Sequence, residues 1–321
     1  MPDSRPRLAI TRRLPEPVEA RAQSAYRALL NPADVPWSAR DWIEHCRDAD
    51  GVLCTVTDTV TTAVIDTLPK SVRILATFSV GFNHIDIVAA RRRGIVVTNT
   101  PDVLTDATAD IALLLLLGAA RRAGEGEALM RSGSWRGWAP TQMLGTHFSG
   151  KALGIVGLGR IGCAVARRAV GFGMKIHYLA RTPKPTPGFS AIHHAREETF
   201  WRECQFLTLH LPTNAETRGY LNAGRIAQLP RGAIVVNTAR GEIVDDDALI
   251  AALRSGQVGA AGLDVYVDEP NVRSEYVALA NTFLLPHLGS ATFETRCAMG
   301  FRALDNLDAF FAGRAPPDRV A

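Results

Sequence analysis

The sequence predicts an α/β protein made of two doubly wound domains, each built on a parallel sheet. Short apolar runs alternate with helical patterns through the first hundred residues, and six more apolar runs recur after Lys151. A glycine-rich turn follows the first run of this second block, at 152–156. Alternating strands and helices are typical of a parallel sheet covered by helices. The 321 residues suffice for two medium domains.

In the first block, four apolar runs are predicted as strands, and the patterns between them as helices. The strands are expected at 8–11, 52–55, 74–77 and 95–98, and the helices at 16–30, 60–68 and 85–92. A long apolar helix follows, with Thr105 as its N-cap and apolar positions from Ala107 to Ala120. Its apolar stretch is too short to cross a bilayer, which favours a buried helix over a membrane span.

The second block is predicted to contain six strands and a well-marked helix. The strands are expected at 152–156, 174–179, 206–211, 233–237, 262–265 and 282–285. The helix starts at three aspartates, 245–247, and ends before Gly256. A last helix, 294–311, lies beyond these strands and can fold back onto the first block. We therefore predict one discontinuous domain of residues 1–100 plus 290–321, and a second domain of residues 101–289.

The turn after the strand at 152–156 has the spacing of a dinucleotide-binding loop. It reads Gly157-Leu158-Gly159-Arg160-Ile161-Gly162. The first glycine allows a tight bend, the second lets the backbone approach a pyrophosphate, and the third lets the helix pack against the strand. The helix N-terminus adds N–H groups and a partial positive charge. A methyltransferase-type nucleotide site is the competing interpretation.

The loop after the next strand indicates which dinucleotide binds. An NAD enzyme normally places Asp or Glu there for the ribose 2′-hydroxyl. Here the loop reads Ala180-Arg181-Thr182-Pro183-Lys184, and no acid occurs from 177 to 195. Arg181 and Lys184 would attract a 2′-phosphate, so the sequence predicts NADP. The absence of an acid also disfavours a methyltransferase. The alternative for both basic residues is a solvated loop charge.

Three polar residues follow three successive predicted strands of the second block. They are Arg240, Glu269 and His287. Alone, each has an ordinary structural explanation, but ligands in open α/β sheets bind beyond the carboxyl ends of the strands. Together they fit the reduction of a 2-oxo acid. Arg240 can hold the carboxylate, His287 can supply a proton, and Glu269 can favour the imidazolium form.

With these residues the sequence resembles the D-isomer-specific 2-hydroxyacid dehydrogenases. Within that family it is most similar to the NADP-dependent glyoxylate/hydroxypyruvate reductases. The resemblance is collinear over residues 52–300. It rests on the segments 79–86, 99–101, 105–122, 154–162, 237–241, 262–265, 268–270 and 286–292. The basic loop at Arg181 and the segment 135–140 favour the reductase branch. The resemblance implies two Rossmann-like or flavodoxin-like domains with the active site in the cleft between them.

The resemblance also implies roles for individual residues. Arg240, Glu269 and His287 would be the catalytic triad. The N–H groups of Val80 and Gly81 would hold the substrate carboxylate, with Ser290 close by. Trp138 would enter the active site of a partner subunit or pack within its own, and the helix 105–122 would form a homodimer interface. The predicted cofactor-binding residues are Gly157, Gly159, Arg160, Ile161, Gly162, Arg181, Thr182, Lys184, Pro212, Thr238, Asp264 and Gly289.

Composition excludes several other classes of function. The net charge is +4, and the arginine clusters at 91–93 and 121–122 carry no interleaved aromatic residues, so we expect no nucleic-acid partner. The five cysteines have no metal-ligand spacing and predict reduced thiols in a cytoplasmic protein. His193-His194 is a possible metal pair, but the lack of a third ligand favours a surface location. The charged N-terminus has no signal-peptide core.

The sequence therefore predicts an NADPH-dependent reductase of glyoxylate and hydroxypyruvate that uses no metal and does not bind membranes. A 2-ketogluconate reductase or a broad 2-oxo-acid reductase shares every residue named above and stays open as an alternative. The alternative of another class is a nucleotide-sensing binding protein like the related transcriptional co-repressors. The intact triad disfavours it.

Overall fold

The computed structural model describes residues 3–321 and divides into two compact units. The first unit contains residues 3–104 and 292–321, and the second contains residues 105–291. The sequence placed these boundaries at 100/101 and 289/290, and Met1 and Pro2 of the predicted first domain lie outside the described residues. Each unit holds a parallel sheet, which confirms the predicted α/β fold class.

In chain order, the strands are β1 (Arg7–Ile10), β2 (Arg27–Leu29), β3 (Gly51–Thr55), β4 (Ile74–Phe78), β5 (Val96–Thr98), β6 (Ala152–Val156), β7 (Lys175–Leu179), β8 (Ala191–His194), β9 (Phe206–Leu209), β10 (Ala233–Asn237), β11 (Val258–Leu263) and β12 (Thr282–Leu284). The helices are α1 (Glu16–Ala25), α2 (Ala39–His45), α3 (Thr62–Thr67), α4 (Ile87–Arg92), α5 (Thr105–Ala120), α6 (Ala123–Arg131), α7 (Arg160–Gly171), α8 (Glu197–Glu203), α9 (Ala223–Ile226), α10 (Asp246–Ser255), α11 (Ser274–Ala278) and α12 (Phe293–Phe311).

The sheet of the first unit has the strand order β2-β1-β3-β4-β5, which is the flavodoxin-like order. One core cluster on this sheet includes side chains of α2, α3 and α4, and a second includes side chains of α1 and α12. In the second cluster, Leu304 and Leu307 of α12 are fully buried. The C-terminal helix thus completes the core of the unit that contains β1.

The sheet of the second unit has the order β12-β11-β10-β9-β6-β7-β8, the Rossmann order with a seventh strand. The order reverses between β6 and β9, the position where such sheets bind ligands. Helices α5 and α7 contribute to the core cluster on one face, and α8 and α10 to the cluster on the other. Helix α5 lies so close to β11 that a Cβ on Gly262 would stand 2.9 Å from the Leu115 carbonyl oxygen.

Several predicted elements were wrong in their bounds. The helix predicted at 16–30 ends at Ala25, because the backbone of Tyr26 turns extended and residues 27–29 pair with the outer edge of β1. Thr105 is the first residue of α5 rather than its N-cap. The strand predicted at 262–265 runs from Val258 to Leu263. Its glycines and alanines carry little strand signal, but they allow the close approach of α5.

The surface location favoured for His193-His194 is wrong for His194, which is buried. Its Nε2 lies 2.9 Å from His177 Nδ1, and its Nδ1 lies 3.1 Å from Thr199 Oγ1. Burial lowers the pKa of both rings, so they pair in the neutral form. Within residues 3–321, no three His, Cys, Asp or Glu side chains come close enough together to hold a metal ion. No helix in that range is long and apolar enough to cross a membrane.

Candidate active site and dinucleotide cradle

The turn after β6 has the geometry that its glycine spacing predicts. Gly157 adopts a φ of +92°, and a Cβ there would lie 2.7 Å from the His210 carbonyl oxygen. A Cβ on Gly162 would collide with the Gly157 carbonyl oxygen, whereas a Cβ on Gly159 would have no heavy atom within 4 Å. The first and third glycines are therefore required by close packing. The second leaves open space at the N-terminus of α7, where a pyrophosphate fits.

Buried hydroxyls at neighbouring strand ends also fit a polar ligand. Among residues 3–321, Thr213 Oγ1 beyond β9 and Thr238 Oγ1 beyond β10 are buried without a hydrogen-bond partner. Native structures rarely leave such groups unsatisfied unless a water, ion or ligand binds them. The cradle and these hydroxyls together fit a dinucleotide, and Thr238 is among the residues that the sequence predicts to bind it. Pro212, next to Thr213, is exposed and accepts a hydrogen bond from Thr217 Oγ1 through its carbonyl oxygen.

The loop after β7 exposes the basic residues predicted to select the cofactor. Arg181, Thr182 and Lys184 are all exposed. In the described part of the chain, the guanidinium of Arg181 makes no hydrogen bond or ion pair. No acid occupies the loop, so an anion there would meet positive charge without competition.

Arg240 follows β10, in a segment that is pressed against the strand-end loop of β11. A Cβ on Gly241 would collide with the backbone of Tyr266 and Val267, so only glycine allows the two loops to touch. The side chain of Asn237 fixes the Arg240 loop, since its Nδ2 donates to the Arg240 carbonyl oxygen at 2.8 Å. Burial lowers the pKa of Arg240, while the charges of Glu242 and Glu269 oppose that shift. A largely desolvated guanidinium thus stands in the field of Glu269.

Glu269 and His287 form the central contact of the site. His287 Nδ1 lies 2.7 Å from Glu269 Oε2, and the backbone N–H of Tyr266 donates to Glu269 Oε1 at 3.0 Å. Burial raises the pKa of Glu269, but the hydrogen bond and charge of His287 outweigh it and hold that pKa below its ordinary value. An ionised carboxylate can only accept, so Nδ1 carries the proton. In the described residues, the opposite ring nitrogen, Nε2, has no hydrogen-bond partner.

Asp264 shapes the turn that presents His287. His287 has a φ of +54°, a left-handed conformation that is uncommon for a residue other than glycine. Its N–H donates to the Asp264 carbonyl oxygen at 2.9 Å, and the Asp264 carboxylate accepts the N–H groups of Leu288 at 2.6 Å and Gly289 at 2.8 Å. Burial raises the pKa of Asp264 against these bonds. Asp264 therefore positions His287 through the backbone.

In the first unit, the carbonyl oxygens of the loop after β4 accept hydrogen bonds from neighbouring groups. Asn99 Nδ2 donates to the Val80 carbonyl oxygen at 2.8 Å, and Ser79 Oγ donates to that of Gly81 at 2.6 Å. The N–H of Thr100 donates to the Ser79 carbonyl oxygen at 2.9 Å. Within the described chain, the N–H groups of Val80 and Gly81 have no acceptor. They remain available to an anion.

Two predicted substrate residues are less constrained. Ser290 follows the Asp264-bound turn and is half-buried. Trp138 is 80% exposed, in a loop where Gln142 accepts from Trp135 Nε1 at 3.3 Å and donates to the Gly137 carbonyl oxygen at 2.9 Å. Sequence reasoning missed the roles of Asn99, which binds the Val80 carbonyl oxygen, and of Gly241, which lets the Arg240 loop touch the loop after β11. Both stand in segments that support the resemblance, 99–101 and 237–241, and this is the signal that could have found them.

The Rossmann cradle and the Arg240, Glu269 and His287 cluster define an oxidoreductase of the dinucleotide-binding α/β class. A family model described as D-isomer specific 2-hydroxyacid dehydrogenase, NAD binding domain, matches residues 113–289. The chain is 42% identical to a glycerate dehydrogenase of Hyphomicrobium methylovorum over 97% of both proteins. It is 43% identical to a glyoxylate reductase of Thermococcus litoralis over 98% of this chain and 97% of that protein.

Among solved structures, the chain is similar to an NADPH-dependent glyoxylate/hydroxypyruvate reductase from Sinorhizobium meliloti, crystallised with NADP and malonate. The two are 34% identical with a TM-score of 0.89, over 99% of this chain and 97% of that one. The chain belongs to the D-isomer-specific 2-hydroxyacid dehydrogenase family.

Proposed function

We propose that this protein reduces glyoxylate and hydroxypyruvate to the 2-hydroxy acids with NADPH. The observation that carries the proposal is the 2.7 Å contact between His287 Nδ1 and Glu269 Oε2, at strand ends of the sheet that holds the dinucleotide cradle. Relatives named glyoxylate reductase and glycerate dehydrogenase support the substrate class.

Each residue of the triad contributes a separate step. Arg240 binds the substrate carboxylate and polarises the ketone oxygen. The N–H groups of Val80 and Gly81 are proposed as further donors for a carboxylate. When bound, a reduced nicotinamide supplies the hydride that forms the new C–H bond at the carbonyl carbon. The π electron pair moves to the oxygen, which takes a proton from His287 Nε2. Glu269 holds Nδ1–H, so Nε2 is the nitrogen that donates.

The preference for NADPH rests on the loop after β7. Arg181 is exposed and carries no competing ion pair in the described chain, and a 2′-phosphate would bind its guanidinium in the bidentate manner that arginine favours. Thr182 and Lys184 complete the proposed phosphate site. The NADP bound to the Sinorhizobium meliloti reductase supports this cofactor for a protein of the same fold.

We also propose a homodimer in the cytoplasm. Apolar side chains are exposed along α5, α6 and the following loop, at Leu114, Met130, Trp135, Trp138 and Leu144. A second copy covering them would bury this patch and bring Trp138 to the partner's active site, or else leave it packed in its own subunit. Leu114→Arg should convert a dimer to a monomer in light scattering. A monomeric wild type would overturn the proposal.

A kinetic panel tests the function. Glyoxylate, hydroxypyruvate, pyruvate and 2-ketogluconate are each assayed with NADPH and NADH. The highest kcat/KM is expected for glyoxylate or hydroxypyruvate with NADPH. A preference for 2-ketogluconate would replace the substrate assignment, and a preference for NADH would replace the cofactor assignment. The absence of turnover with all four 2-oxo acids would refute an enzymatic function and favour a nucleotide-sensing binding protein.

A further inference from the structure

The loop that carries Arg181 is anchored at both ends by two aromatic side chains. Tyr178 OH accepts the N–H of Lys184 at 2.9 Å and lies 3.4 Å from its carbonyl oxygen. His193 Nε2 lies 3.0 Å from the Ala180 carbonyl oxygen. The two anchors therefore hold residues 180 and 184, on either side of the exposed Arg181.

The anchoring side chains belong to the sheet itself. Tyr178 in β7 and His193 in β8 are directly paired in register, and their rings lie 5.1 Å apart. Tyr178 is 3% exposed and is part of the core cluster that includes α5 and α7 side chains. The anchors are therefore set by packed strands rather than by the loop.

The loop has little freedom between these anchors. Prolines at 183, 185 and 187 fix φ at alternate residues and restrict each residue that precedes them to extended backbone. The N–H of Lys184 is the one backbone donor between Pro183 and Pro185, and Tyr178 binds it. A stiff, doubly anchored loop loses little conformational entropy when a ligand binds to it.

We infer that Tyr178 and His193 are positioning residues that hold Arg181 in place for the 2′-phosphate and so determine selectivity for NADPH. The inference rests on the proposed function. A carbonyl oxygen can only accept, so His193 Nε2 carries a proton in this contact. The hydroxyl of Tyr178 and the N–H of His193, rather than their rings, are the groups that act on the loop.

Calorimetric titration with 2′,5′-ADP and 5′-AMP tests the positioning role of Tyr178 and His193 without measuring turnover. The two nucleotides differ only in the 2′-phosphate, so a difference between them reports on that group. Tyr178→Phe and His193→Phe keep the rings and remove the anchors. Each should weaken 2′,5′-ADP binding about 3- to 10-fold and leave 5′-AMP binding within about twofold. His193→Gln retains an amide N–H and should bind nearly as the wild type. Tyr220→Phe, which removes a hydroxyl bonded to Glu197, is the matched control and should bind both nucleotides normally.

The same titration in an Arg181→Ala background shows whether the anchors act through Arg181. In that background Tyr178→Phe should cause no further loss. The inference would be overturned if an anchor variant weakened the binding of both nucleotides equally or of neither. It would also be overturned if the effect of Tyr178→Phe were fully additive to that of Arg181→Ala. If Arg181→Ala itself does not discriminate the nucleotides, the 2′-phosphate proposal fails and the inference fails with it. If Arg181→Ala weakens the binding of 2′,5′-ADP alone and neither anchor variant does so, only the inference fails. If Tyr178→Phe strongly lowers the melting temperature, the comparison of His193→Phe with His193→Gln tests the inference in its place.

Discussion

His287 Nδ1 and Glu269 Oε2 lie 2.7 Å apart although 18 positions separate them in the chain, and each side chain is 33% exposed. Two different strand ends bring them together. Tyr266, beyond β11, fixes the far oxygen of the carboxylate, and Asp264 fixes the turn that holds the histidine. The geometry leaves only Nε2 of His287 for chemistry, which is what a proton donor requires.

Glu269→Gln tests the electrostatic role of this contact. Glutamine keeps the shape but replaces the ionised acceptor of His287 Nδ1–H with a neutral one, so kcat/KM for hydroxypyruvate reduction should fall about tenfold, the loss of about 1.4 kcal/mol for a charge-assisted hydrogen bond. Glu242→Gln is the matched control, because Glu242 also acts on Arg240 but makes no bond to His287. A kcat/KM in Glu269→Gln equal to that of the wild type would contradict the assigned role.

Asn99→Ala tests how the substrate loop is held. Loss of the bond to the Val80 carbonyl oxygen should let the loop drift and raise KM for hydroxypyruvate about tenfold, the loss of about 1.4 kcal/mol. The Kd for NADPH should stay unchanged. Asn31→Ala removes a comparable buried amide that bonds to the Thr11 and Val35 carbonyl oxygens elsewhere in the unit, and should leave KM unaffected. An unchanged KM in Asn99→Ala would show that the loop keeps its conformation without the Asn99 side chain.

His210 predicts a pH dependence of stability. Burial lowers its pKa from 6.5 to about 4, so the unfolded state binds more protons between those values. The contribution of His210 to the free energy of unfolding is fully present above pH 6.5 and is lost as the pH falls toward about 4. The loss is about 3 kcal/mol at most. In urea titrations, His210→Asn should flatten the decline over this window. A decline as steep as that of the wild type would show that other groups cause it.

The sequence predicted the fold class because strand and helix periodicities differ and because the glycine turn is local. It also placed Arg240, Glu269 and His287 at strand ends, and the structure brings Glu269 and His287 into contact. Short elements escaped prediction. β2 and β8 have only three and four residues, and they form strands by pairing with β1 and β7 rather than through their own propensity.

The missed site residues share a physical reason. Tyr178, His193 and Asn99 act by bonding to backbone atoms of other segments, and no spacing in a sequence reports which carbonyl oxygen a side chain will reach. His194 was misplaced for the same reason, since its partner His177 lies on the neighbouring strand. Local motifs identify reacting groups, whereas contacts between strands determine how those groups are held.

His287→Ala gives the most direct test of the central claim, that this chain reduces 2-oxo acids by proton transfer from His287. We predict that kcat for hydroxypyruvate with NADPH falls by about 10²- to 10⁴-fold, the range for removal of a general acid. The Kd for NADPH should stay within about twofold of the wild type, since a change near tenfold would signal a lost cofactor contact. A His287→Ala variant that retains the wild-type kcat would contradict the account.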